Sequence, residues 1–138
     1  MAISVTWFDE KQSIAYIHLT PGWTWGDFWM MNESFNELAS TVVHPIYLIV
    51  DMTGAGMPSQ FVPELSKIAS ISEERPTNLQ FTVVVGVGVM LETVTNIFSR
   101  LYKRATAHVR FVSTVNEALP LIESHRQTLL SSDSPDPI

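Results

Sequence analysis

The chain has 138 residues, of which 14 are acidic and 8 basic, for a formal charge of −6 at pH 7, and it has no cysteine. This length suits one domain, the 46% of hydrophobic residues excludes general disorder, and the missing cysteines exclude disulfides, thiolate metal sites and a cysteine nucleophile. The acidic balance argues against nucleic acid as a partner, because proteins that bind nucleic acid carry a basic surface.

The N-terminal residues predict a β-hairpin. Residues 3–8 (ISVTWF) and 13–19 (SIAYIHL) alternate in polarity and are rich in β-branched and aromatic residues, which is typical of strands. The polar residues 9–12 between them fit a tight turn, and Pro21-Gly22 ends the second strand. Acidic residues come before any long apolar run and no basic residue precedes them, so we expect no secretory signal.

An amphipathic helix is predicted to follow the hairpin. Thr24 is the candidate N-cap, and Asp27 places a negative charge in the first turn, where the helix dipole favours it. Apolar residues then recur at spacings of three and four as far as Ala39. The helix must end before His44-Pro45, because the residue before a proline disfavours helical geometry.

Three of the four tryptophans fall within seven residues at the start of this helix. Helical spacing places Trp25, Phe28 and Trp29 on one face, where core packing explains them. Trp23 and Met30 do not share that face and are predicted to form an exposed patch. Such a patch would suit a protein partner or an apolar ligand.

Two continuous apolar runs, 46–50 and 81–85, predict central strands that are buried on both faces. Further elements are predicted in the order helix 63–70, helix 90–104, strand 109–112 and a helix that opens with a capping box at Thr114 and runs to about residue 129.

This alternation predicts an α/β fold. After the hairpin, strands and helices take turns, which implies a mostly parallel sheet of four to five strands covered by about four helices. Residues 1–130 form one domain in this interpretation, and residues 131–138, with two prolines and two aspartates, form a disordered tail. The longest uncharged stretch, 76–91, is too short and too polar to cross a membrane, so we expect a bacterial-type cytoplasmic protein.

The loop after the first central strand carries candidate binding residues. Asp51, Thr53 and Gly54 stand where ligands bind in open α/β sheets. Asp51 can fix a ligand, Thr53 can accept a phosphate, and Gly54 allows close approach of the backbone. The alternative is structural, with Asp51 as a cap and the glycines in a turn. Both interpretations stay open at this point.

The element order, the strand end Asp51-Met52-Thr53-Gly54 and the segment 111–119 (FVSTVNEAL) resemble the STAS superfamily, and more closely its SpoIIAA-like branch of anti-sigma factor antagonists, over residues 2 to 125. The resemblance implies a SpoIIAA-like fold and a non-enzymatic regulatory module that binds a protein partner through this loop and the helix after it. In that family a kinase phosphorylates a hydroxyl within Asp-Ser-Ser-Gly at the start of the second helix. That motif is absent here, and Ser59 or Thr53 is the candidate acceptor.

A second hypothesis is a protein that binds a small apolar ligand or lipid in a pocket between helices and sheet, near Trp25, Trp29 and Phe61. An enzyme is not expected, because no motif assembles an acid, a base and a nucleophile. We expect no cofactor, since Gly86-Val87-Gly88 lacks the third glycine of a dinucleotide loop, and no metal, since the four histidines are far apart in the sequence. Self-association as a homodimer is left open.

Overall fold

The structure, a computed structural model, describes residues 3–55, 64, 66–70, 75–86, 91–101 and 108–133. Its elements are, in chain order, β1 Ile3–Trp7, β2 Ile14–Leu19, α1 Trp25–Ala39, β3 Ile46–Asp51, β4 Leu79–Val85, α2 Leu91–Leu101, β5 Val109–Val112 and α3 Val115–Asp133. Residues 64 and 66–70 are helical as well. The alternation of strands and helices predicted from the sequence is confirmed in this part of the chain.

The five strands form one mixed sheet in the order β1-β2-β3-β4-β5. The hairpin pair β1–β2 is antiparallel, and the other three pairs are parallel. The α/β class and the mostly parallel sheet are therefore confirmed. All six residues of the central strand β3 are buried, because other strands flank it and helices cover it, and this explains its continuous apolar sequence.

The two faces of the sheet carry separate apolar clusters, because neighbouring residues of a strand point to opposite faces. Val50 and Val84 belong to the cluster under α1, which also receives Ile68 and Ile97 from the helical residues 66–70 and from α2. Ile49 and Val83 belong to the cluster under α3. Among the described residues, one face is thus covered by three helical pieces and the other by a single long helix.

The start of α1 is stabilised by the predicted capping residues. The Asp27 amide donates to the Thr24 hydroxyl at 3.1 Å, and the Thr24 amide donates back to the Asp27 carboxylate at 3.2 Å. This reciprocal capping box satisfies two of the amides that a helix leaves without intrahelical partners. The sequence signal for the first turn is therefore confirmed.

The prediction for Trp23 is wrong, while Met30 is exposed as predicted, at 66%. Trp23 is only 6% exposed, and its ring lies 5.0 Å from that of Trp25. The physical reason is the turn before the helix, where Gly22 adopts φ +90° and the Trp23 amide donates to Thr20. Helical spacing does not apply to a residue before the N-cap, and this turn directs the side chain inward.

The C-terminal helix α3 is longer than predicted and ends at Asp133. It includes residues 131–133 of the segment predicted as a tail, and residues 134–138 lie outside the described residues. No helix in the described part of the chain combines the length and the apolar character needed to cross a membrane.

Candidate ligand-binding cavity

A cavity of about 140 Å³ lies between α1 and the sheet. Its floor includes Leu48, Val50 and Val84, whose side chains point to the α1 face. Over this face α1 contacts the edge strand β1 and α2 contacts the opposite edge strand β5, so a gap is left above the centre of the sheet. The helical residues 66–70 border the gap and contribute Ile68 to the lining.

The α1 wall of the cavity is aromatic. Trp25 and Trp29 stack with ring centroids 5.8 Å apart, and Phe28 meets the edge of Trp29 at 4.9 Å. The spacing of three and four residues on α1 brings these rings together. Trp23 extends the cluster from the turn before the helix. All four rings line the cavity and present a large apolar surface to it.

Polar groups line one part of the cavity, namely Asn32, Asn36, Arg75, Thr82 and His108. Asn36 is exposed and the other four are half-buried, so this part of the lining communicates with solvent. The Arg75 Nε donates to the Leu79 carbonyl at 3.1 Å, which holds the side chain near the start of β4. No aspartate or glutamate is among the described lining residues.

Asp51 lies on the opposite face of the sheet from the cavity. It is 7% exposed; its carboxylate accepts a hydrogen bond from the Tyr16 hydroxyl and a second, of 2.9 Å, from the Thr53 amide. Burial by itself would raise the pKa of Asp51, but hydrogen bonds from Thr53 and Tyr16 outweigh burial and lower it. Burial and the Asp51 carboxylate together raise the pKa of Tyr16 to about 12. Because Tyr16 and Thr53 already donate to the Asp51 carboxylate, the structure favours the interpretation of Asp51 as a cap.

The turn after β3 is tightly built. Gly54 has φ +78° and Gly86 has φ +85°, a region that L side chains rarely adopt. A Cβ on Gly86 would lie 2.7 Å from the backbone nitrogen of Thr53, so glycine is required for the two loops to approach. Thr53 and Gly54 are both exposed, and the turn presents them to solvent.

The structure separates the loop predicted to bind a partner from the tryptophans predicted to line a pocket. Trp25 and Trp29 line the cavity together. Asp51 faces the other way, and of the turn 51–54 only Met52 lines the cavity. Two further predicted residues, Ser59 and Phe61, lie outside the described residues.

Sequence reasoning missed the polar part of the lining. Asn32 did carry a signal, because it occupies a position in the apolar stripe of α1 between Trp29 and Phe35. Arg75 and His108 stand in connections just before β4 and β5, where no periodic pattern exists to identify them. Their role at the cavity follows only from the tertiary structure.

Among the described residues, no group of three or more histidine, aspartate or glutamate side chains is arranged to hold a metal ion.

Comparisons of the chain with models of known families, with curated proteins and with solved structures found no match.

Proposed function

We propose that the protein binds a small apolar molecule in the cavity between α1 and the sheet. The observation that carries this proposal is an apolar space of about 140 Å³ in a domain core, where side chains normally pack as densely as organic crystals. An engineered apolar cavity of about 150 Å³ binds benzene, so a ligand with about six carbon atoms fits this size class.

The energetics favour occupation of the cavity. A ligand that fills the space restores contacts with Leu48, Val50 and Val84 on the floor and with the aromatic rings of α1. The protein would act as a binder or carrier, since no reactive group is required for this role.

Titration with 1-hexanol, followed by calorimetry and by tryptophan fluorescence, tests the proposal. We expect saturable binding with a change in fluorescence, because Trp25 and Trp29 line the cavity. Val84→Phe places a ring in the cavity and should weaken binding at least tenfold. Val43→Phe adds the same volume at a residue that is 97% exposed and should leave binding unchanged. Absence of saturable binding, or equal binding by both variants, would overturn the proposal.

The regulatory interaction implied by the STAS resemblance is a second proposal, supported by the exposure of Thr53. A phosphate on Thr53 would lie beside the Asp51 carboxylate, which now accepts a hydrogen bond from the Thr53 amide. Repulsion between the two anions would open the turn and change the surface offered to a partner. Mass spectrometry of protein isolated from its native cells tests the switch, and an unmodified Thr53 and Ser59 would contradict it.

A further inference from the structure

The cavity has two chemically different ends. Because β2 to β5 are parallel, their amino ends lie along one edge of the sheet and their carboxyl ends along the other. Val50, Met52 and Val84 lie in the carboxyl half, and the register pairs Val84 with Phe111, another lining residue. Trp23 and Trp25 follow the carboxyl end of β2. This end of the cavity is apolar.

The polar lining residues gather at the amino end. Arg75 precedes β4, His108 precedes β5, and Thr82 pairs with Val109 at the first position of β5. Helix α1 runs back toward the same edge, because the Asn78 side chain, just before β4, donates to the Ala39 carbonyl at 3.1 Å. The later turns of α1 therefore bring Asn32 and Asn36 toward this end. The polar lining residues thus lie toward this end, beside the apolar lining residues Pro76, Leu79 and Val109.

The described polar end includes a guanidinium and an imidazole. Arg75 and His108 are the only ionisable side chains among the described lining residues. Neither Lys67 nor Glu64 lines the cavity. The Lys67 ammonium lies 4.7 Å from the centroid of the Trp29 ring, and the Glu64 Oε2 is buried without a hydrogen-bond partner among the described residues.

We infer that the ligand is a small carboxylate with an aromatic or short aliphatic body of about six carbon atoms. The inference rests on the proposed function and adds the class of ligand. The body fills the apolar end, and the carboxylate lies among Arg75, His108 and the amide of Asn32 at the polar end. A guanidinium pairs well with a carboxylate, because its planar N–H groups match two oxygens. The exposure of Asn36 keeps the anionic group in contact with water, which limits its desolvation penalty.

Paired titrations with hexanoate and 1-hexanol test the inference, because the two probes share a six-carbon chain and differ in charge. We expect wild-type protein to bind hexanoate roughly tenfold to a hundredfold more tightly than 1-hexanol, as a charged hydrogen bond predicts. Arg75→Gln should remove this preference. Arg100→Gln is the matched control, because Arg100 is exposed on α2 and does not line the cavity.

The outcomes separate the two proposals. Binding of 1-hexanol without a preference for hexanoate would overturn the carboxylate inference and keep the apolar cavity function. Failure of both probes to bind would overturn the proposed function. Arg75→Lys, which keeps the charge but loses the planar geometry, should show an intermediate preference. If Arg75→Gln does not fold, His108→Gln provides the test, and an undiminished preference there would contradict the role of the polar end.

Discussion

The two faces of the sheet are packed differently, although aromatic residues lie on both. Under α3, Phe81, Tyr47 and His125 form a closed cluster whose ring centroids lie 5.1 to 5.6 Å apart. Under α1, the rings of Trp25, Phe28 and Trp29 contact each other at similar distances but line a cavity. Aromatic residues alone therefore do not fill a core. What differs, in the part of the chain that the structure describes, is the number of helical pieces that cover each face.

The α3 face is closed by one helix that also forms polar contacts with the sheet and the β1–β2 turn. The Tyr47 hydroxyl lies 2.8 Å from the His125 Nδ1, and Arg126 hydrogen-bonds to Ser13 and pairs with Asp9 at 3.5 Å. The α1 face is covered by α1, the helical residues 66–70 and α2. The cavity lies between these helical pieces and the sheet. We therefore assign stability to the α3 face and binding to the α1 face.

The largest expected effect comes from removing a ring on each face. Phe81→Ala should lower the free energy of unfolding by about 3–5 kcal/mol, because this ring is almost fully buried among Tyr47 and His125. Phe28→Ala should cost less than half as much, because Phe28 is half-buried and already borders a cavity. Urea unfolding of the two variants measures the difference. Equal losses would mean that the two faces are packed alike.

Loss of the Tyr16 hydroxyl is expected to have the next largest effect. Tyr16→Phe removes the donor to the buried Asp51 carboxylate, and hydrogen bonds to charged groups contribute about 1.5–3 kcal/mol. Thermal and urea unfolding should show this loss, while binding of 1-hexanol should not change, because neither residue lines the cavity. Tyr47→Phe is the control for removal of a phenol hydroxyl near a neutral partner and should cost less. A loss of ligand binding in Tyr16→Phe would contradict the separation of the two faces.

Enlarging neighbouring valines of β4 tests the cavity directly. Val83 is fully buried under α3, and Val83→Phe should destabilise the protein by about 1–3 kcal/mol through overpacking. Val84 lines the cavity, and Val84→Phe should be close to neutral because space for the ring exists. Calorimetric melting of both variants checks this. Two equally destabilised variants would show that the cavity does not accept the added volume.

The strands and helices could be predicted from the sequence because each is specified by the residues within it. The alternating residues of β1 and β2, the continuous apolar run of β3 and the capping pair Thr24 and Asp27 each specify an element without reference to the rest of the chain. The SpoIIAA-like identity of the fold and the existence of a homodimer remain predictions, since they depend on comparison with other proteins or on a second copy.

The candidate site could be predicted only in part, because a site is a tertiary property. Trp25 and Trp29 were identified by helical spacing, and they do line the cavity. Strand alternation alone shows that Asp51 and Val50 point to opposite faces, but not which face α1 covers. Which face α1 covers depends on how the chain crosses the sheet between β2 and β3. This dependence explains why the sequence alone does not show that Asp51 lies outside the cavity or that Arg75 lines it.

The smallest expected effect is a difference in acid sensitivity between the two faces. Burial by itself would raise the pKa of Asp9, but hydrogen bonds from Ser13 and Ile14 and the nearby Arg126 lower it. The pKa of Asp51 is also lowered, by the hydrogen bonds that its carboxylate accepts. A carboxyl group with a lowered pKa stabilises the folded state above its unfolded pKa, here about 3.8, and this contribution disappears as the pH falls through the folded pKa. Stability should therefore decline below about pH 4, and Asp51→Asn should flatten the decline.

The cavity should not share this sensitivity. Asp9 and Asp51 do not line it, so Asp51→Asn should leave the affinity for the neutral probe 1-hexanol unchanged at each pH where the protein is folded. Asp9→Asn is the matched control for Asp51→Asn, and each variant should remove only part of the pH dependence because the other carboxylate remains. Urea unfolding at pH 7 and pH 3, together with 1-hexanol titrations, measures both quantities. If the affinity for 1-hexanol decreased together with the free energy of unfolding, binding in the cavity would depend on the packing of the α3 face. The two faces would then not be independent.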